Sequence, residues 1–330
     1  FPPPWRTDTS NACPVGPGTA RFETDRQIAY PHPGVRAVSD LPFAKGHALG
    51  NDYIVLDESA TGGSVSPALV RALCDRHRGI GGDGVLLGGV ADDRIRLRIF
   101  NPDGGEAEKS GNGLRIFAAW LHWRGVVAGE PFRVALPGES VEMQVTGVGA
   151  GGVLEVRVEM GRASFQGSDI GFLPEPRDVG TPILEIEGGE RVRVQPVSVG
   201  NPHCVVFVDT LEEAAFRRIA PRLSSHPAFA AGANVQFARV AGPGVIEAWI
   251  HERGAGETLA SGSSACAVAA AAVRLGLVEV RNVEVRMPGG SVRVAMHDDG
   301  GIGLTGPAQI VYEGRVRGEV VAISGPRFTF

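Results

Sequence analysis

The chain has 330 residues, 43% of them hydrophobic and 21% charged, with a net charge of −5 at neutral pH. This describes an ordinary globular chain long enough for two domains, and its mild acidity offers no basic footprint for nucleic acid, so none is expected as a partner. The longest apolar run, 265–277, is interrupted by Arg274 and falls short of the ~20 residues needed to span a bilayer; four cysteines (Cys13, Cys74, Cys204, Cys266) without metal-ligand spacing read as free thiols of a reducing cytoplasm, with no metal and no membrane partner expected.

Residues 1–40 open on Phe-Pro-Pro-Pro, carry Pro31-His32-Pro33 and lack apolar periodicity, so they are expected to be a disordered segment without a site. The pattern changes at Leu41. Residues 43–57 set Gly50-Asn51-Asp52 before Tyr-Ile-Val-Leu, a polar loop entering a strand. A helix is expected over 68–77, and Gly79-Ile80-Gly81-Gly82-Asp83-Gly84 then leads into a strand over 85–87. A dinucleotide-binding glycine run follows a strand and opens a helix; this one precedes a strand, which argues against a nucleotide. Residues 95–100 read as a strand ending in the turn Asn101-Pro102-Asp103-Gly104. Ser110 opens Ser-Gly-Asn-Gly-Leu-Arg-Ile-Phe-Ala-Ala-Trp, small residues feeding an apolar helix. Segments 132–135, 141–145 and 153–159 then alternate as an antiparallel meander.

The second half follows the same plan. Strands over 194–199 and 204–208 flank Gly200-Asn201-Pro202-His203, a helix is expected over 211–220, and Gly232-Ala233-Asn234 leads into another strand. Residues 246–251 end at Glu252-Arg253-Gly254-Ala255-Gly256, Ser261 opens a glycine- and serine-rich turn into the apolar helical run 265–277, and 283–287 pairs with 291–296 as a hairpin.

The spacings repeat as well. Pro137 lies 27 residues after Ser110 and Pro288 lies 27 after Ser261; Asn101 and Glu252 each precede their serine by 9; Gly50-Asn51 and Gly200-Asn201 stand 59 and 60 residues upstream, counted from Asn51 and Asn201. A period of about 150 residues, with a serine at a helix start in each copy, suggests one site built where two similar halves meet. A helix start presents unpaired N–H groups and positive partial charge, a seat for a carboxylate.

Gly50-Asn51-Asp52, Asn101-Pro102-Asp103-Gly104, Gly111-Asn112-Gly113, Gly200-Asn201-Pro202-His203 and Glu252-Arg253-Gly254-Ala255-Gly256-Glu257-Thr258 resemble, in order, the motifs of the diaminopimelate epimerase family. The resemblance covers about 41–314 and implies an α/β fold of two pseudo-symmetric domains, each a mixed sheet wrapped around a central helix. It implies domains of 41–158 plus 308–330 and of 159–307, a cytoplasmic homodimer, and inversion of LL- to meso-diaminopimelate for lysine synthesis without a cofactor. Carried over position by position, it implies substrate contacts at Asn51, Asn101, Gly111, Asn112, Asn201, Asn234, Glu252, Arg253, Gly262 and Ser263, with His203 and Glu252 aiding catalysis. Independently, asparagines and glycines offer neutral donors and acceptors for ammonium and carboxylate groups.

Where the family carries its two proton-transferring cysteines, this chain has Ser110 and Ser261. A hydroxyl is a far weaker acid than a thiol, so serines need help from a neighbour such as Glu252 or His203. Three readings follow: an epimerase with assisted serines, an isomerase or lyase acting on another amino-acid-like substrate, or an amino-acid-binding protein that kept the cleft without the chemistry.

Overall fold

The computed structural model describes residues 40–317 except Glu108 and Val280. The expectation for 1–40 therefore lies, Asp40 aside, outside the described residues, as does that for 318–330. Alternation of buried and exposed side chains builds the first half from β1 (Leu41–Ala48), β2 (Asn51–Asp57), α1 (Pro67–Cys74), β3 (Gly84–Ala91), β4 (Arg94–Phe100), α2 (Gly111–Trp123), β5 (Phe132–Leu136), β6 (Glu139–Val148) and β7 (Leu154–Arg162). The second half contains β8 (Gln195–Ser198), β9 (Pro202–Phe207), α3 (Glu213–Ser224), β10 (Asn234–Gly242), β11 (Val245–Glu252), α4 (Gly262–Arg274), β12 (Asn282–Met287), β13 (Gly290–Met296) and β14 (Gly301–Val316).

The repeat read from spacing is a repeat of strand pairing. From β1 to β6 the neighbours pair antiparallel, parallel, antiparallel, parallel, antiparallel. From β8 through β9, β10, β11 and β12 to β13 the same alternation recurs. β7 and β14 join the two sets: they pair with each other, and β14 pairs β13 over Ile302 to Thr305 and β1 over Gln309 to Val316. The β1 contact closes β1 to β7 and β14 into an eight-stranded ring. In the second half the matching closure is a single bridge, in which Ser164 and Ser198 exchange backbone hydrogen bonds of 2.8 Å.

A helix lies against the inner face of each half. α2 packs on β1, β2, β3, β6, β7 and β14, and its residues from Gly111 to Leu121 are all buried. α4 packs on β8 to β14 through small side chains: Ala265, Ala267 and the run Ala269 to Ala272 are buried. Both helices share one apolar core with Val156, Val158, Val292 and Leu304 from the strands between them, where each fully buried aliphatic side chain contributes roughly 1.5–3 kcal/mol.

Two expected helices differ at their ends. α1 stops at Cys74 rather than at 77, because the Asp75 carboxylate accepts the N–H groups of His77 and Arg78 at 2.8 and 2.9 Å and turns the chain. α3 runs through Pro221 to Ser224 rather than ending at 220. Leu223 is fully buried and Ser224 Oγ donates to Ala233 O at 2.8 Å, so tertiary anchoring outweighs the hydrogen bond the proline removes.

Candidate functional site

The site begins with two helix starts in contact. Ser110 and Ser261 are the N-caps of α2 and α4, both extended (φ −138° and −143°). Ser110 Oγ accepts the Gly113 N–H at 3.0 Å and Ser261 Oγ accepts that of Ser264 at 3.5 Å. The first residues of the helices, Gly111 and Gly262, approach so closely that a Cβ on Gly262 would stand 3.1 Å from the Gly111 Cα and 2.8 Å from Leu304 Cδ2. A methyl there would have to push Leu304 and the Gly111 backbone aside. The positive ends of two helices thus meet over one strand, β14, that belongs to both halves.

Around this junction the asparagines form a connected set. Asn112, 4% exposed, donates from Nδ2 to Asn51 Oδ1 and to Ala260 O, both at 3.0 Å, tying the first half to the approach to α4. Asn51 Nδ2 donates to Asp83 Oδ2 at 2.8 Å, and Arg76 donates to both Asp83 and Asp52 at 2.7 Å. Burial alone would raise the Asp52 carboxyl, yet Arg76 and Lys45 hold it down at about 2. The glycine run 79–84 therefore serves the site through Asp83, not through a bound phosphate loop. Arg115 is fully buried beneath the two helix starts, donating to Gly111 O at 3.1 Å and to Asn112 Oδ1 at 2.7 Å; burial pushes its guanidinium down to about 10.

In the second half, Glu252 lies against the other serine. Burial raises its carboxyl, and a hydrogen bond with Ser261 pulls in the opposite direction without cancelling the rise. Ser263 Oγ is 3.4 Å from Ser261 Oγ. Asn234 Oδ1 accepts the Arg253 N–H at 2.9 Å, and the Arg253 side chain donates to Ala231 O at 2.8 Å. His203 is fully buried, accepting from Gln236 Nε2 at Nδ1 (3.0 Å) and, protonated at Nε2, donating to Asn201 Oδ1 at 2.8 Å. Desolvation pushes its ring down to about 3. With both nitrogens occupied and the ring neutral, His203 is placed to orient Asn201. Asn101 is exposed, and its backbone closes the turn to Gly105.

The structure thus brings together Asn51, Gly111, Asn112, Gly262 and Ser263 with both serines, and puts Glu252 on Ser261. Sequence reading missed Tyr53, whose hydroxyl is 3.3 Å from Ser110 Oγ, and also Asp83, Arg115 and Gln236. Arg115 carried a signal, a charge inside an apolar helical run; Tyr53, in a strand of apolar neighbours, carried none.

A family model described as diaminopimelate epimerase matches residues 43–166 and 196–311. Diaminopimelate epimerase 2 of Nostoc sp. is 40% identical over 285 residues, covering 86% of this chain and 98% of that protein. The diaminopimelate epimerase of Xylella fastidiosa is 41% identical over 288 residues, covering 85% and 98%. Among solved structures, a hydroxyproline epimerase from Agrobacterium vitis has the same fold at a TM-score of 0.61, with 16% identity and coverage of 84% of this chain and 92% of that one. With its paired helix starts, its repeated strand order and these relatives, the chain belongs to the diaminopimelate epimerase family.

Proposed function

We propose that this chain inverts the α-carbon of diaminopimelate, LL to meso, without a cofactor, in lysine synthesis. The observation that carries the reading is the contact of two serine-capped helix starts, beside the buried carboxyl of Glu252. The α-carboxylate sits on the N–H groups of Gly111-Asn112 and Gly262-Ser263, where the two positive helix ends stabilise it and the enolate-like charge that develops on proton removal. The α-carbon then lies between Ser110 and Ser261. Asn51, Asn112, Asn201, Asn234 and Arg253 bind the remaining polar groups, with Asn101 closing over the substrate from its exposed turn. His203 acts by holding Asn201. The halves 41–158 with 308–330 and 159–307 are the two domains, and exposed Trp123, Val311 and Tyr312 supply apolar surface for a homodimer.

Ionising a hydroxyl instead of a thiol costs on the order of 6 kcal/mol more, for a gap of roughly four to five pKa units. Glu252, whose carboxyl burial makes a stronger base, offsets part of that cost by taking the Ser261 proton as Ser261 takes the α-proton. The test is α-proton exchange in deuterated water, followed by mass, with diaminopimelate and a panel of other amino acids. Exchange into diaminopimelate, reduced at least ~100-fold in Glu252→Gln, supports the reading. Binding without exchange of any amino acid would make the chain a binding protein. The hydroxyls in place of both thiols favour, as a second reading, another amino-acid-like substrate; exchange confined to a different member of the panel selects it.

A further inference from the structure

The two serines have different neighbours, and that difference bears on how inversion runs. Ser261 faces a carboxylate, Glu252. Ser110 faces a phenol: Tyr53 Oη stands 3.3 Å from Ser110 Oγ, while the Gly113 N–H fills another acceptor site of the same oxygen at 3.0 Å. Tyr53 is 7% exposed, on β2 two residues beyond Asn51, so its hydroxyl reaches the helix start from inside the ring.

We infer that Tyr53 is the positioning residue that replenishes the Ser110 proton, so that protons leave the substrate toward Glu252 on one face and arrive from Tyr53 on the other. This rests on the epimerase reading above. On the Ser261 face the α-carbon C–H bond breaks, its electron pair moves toward the carboxylate, and its proton passes to Ser261 Oγ. Ser261 gives its own hydroxyl proton to Glu252. On the Ser110 face the carbanion takes the Ser110 hydroxyl proton, forming the new C–H bond, and Ser110 takes the phenolic proton of Tyr53. The turnover leaves the carbon inverted, Glu252 protonated and Tyr53 ionised. Solvent then returns one proton from Glu252 to Tyr53.

The surroundings of Tyr53 keep its proton in place at rest. Burial raises its phenol above the ordinary range, the Ser110 hydrogen bond lowers it slightly, and the charges of Glu252, Asp83 and Cys74 act in the raising direction. Tyr53 therefore rests protonated, and turnover in the direction written above also requires Glu252 as the carboxylate. The opposite direction of turnover needs the reverse pair, protonated Glu252 with ionised Tyr53. These two forms carry the same number of protons, so the two directions share one pH profile.

The test is Tyr53→Phe, which keeps the buried ring and removes only the hydroxyl, assayed in deuterated water with LL- and meso-diaminopimelate separately. The expected result is inversion reduced at least ~100-fold with KM changed less than about threefold. One stereoisomer should still wash deuterium into its α-position with retention, since the Ser261 face still works. As a second measurement, replacing Tyr53 by 3-fluorotyrosine should shift the alkaline limb of the pH profile by the change in phenol acidity, which a packing role would not do. Inversion unchanged in Tyr53→Phe, or exchange lost equally from both stereoisomers with the pH profile unmoved, overturns the assignment of Tyr53 alone. Absence of exchange by the parent overturns the epimerase reading with it.

Discussion

His203 offers a quantitative test of the second half of the site. Its ring is fully buried, neutral and held down at about 3, while in the unfolded chain it titrates at its ordinary value of 6.5. Between those values the unfolded chain binds the proton and the folded one does not, so stability falls as pH falls through this window. The full span is worth on the order of 5 kcal/mol, at about 1.4 kcal/mol per unit. Between about pH 7 and about pH 5, the loss should reach ~2 kcal/mol. His251 is also lowered by burial and adds in the same direction, whereas the raised Glu252 carboxyl works against it. The comparison that isolates His203 is His203→Gln, which keeps a donor for Asn201 and an acceptor for Gln236 but does not titrate. Urea unfolding of both proteins at the two pH values should give a decline about 2 kcal/mol larger for the parent. Equal declines would mean that His203 is hydrated or protonated in the folded protein, and the argument that it only orients Asn201 would fail.

Gly262→Ala forces a methyl to within 2.8 Å of Leu304 Cδ2 and 3.1 Å of the Gly111 Cα; it should cost about 1–3 kcal/mol in urea unfolding, and a loss under about 0.5 kcal/mol would mean the helix starts do not touch. Converting Ser110 and Ser261 together to cysteine puts two thiols where the helix fields favour thiolate, so α-proton exchange into diaminopimelate should rise on the order of ten- to a thousandfold. A double variant that folds and binds but exchanges no faster would exclude both positions from proton transfer.

Much of the architecture was legible because it is written twice. The equal spacing from each serine to its Pro-Gly turn located both helix starts, and Ser110 and Ser261 are their N-caps. What spacing could not convey was which residues touch across the repeat. Gly111 meets Gly262, and Asn112 reaches Ala260, through a fold that brings together positions about 150 apart. The resemblance implies that His203 aids catalysis; its burial and its hydrogen bond to Gln236, a strand away, are announced by no local pattern. The helix ends were misjudged for similar reasons, since Leu223 draws Pro221 into a helix that local propensity would end.

The placement of β14 bears on when the protein can begin to work. This strand is synthesised after both helices, yet it pairs β1 from near the start of the fold, with Leu41 opposite Val316, and carries Leu304 beneath both glycines. Folding half by half as the chain emerges, the usual route for a two-part protein, is not open to it. Until residues 301–316 leave the ribosome, the first eight-stranded ring lacks a member and neither helix start has its support. Pairings across such a sequence distance form slowly. Both halves of the site therefore come into being in the same late step.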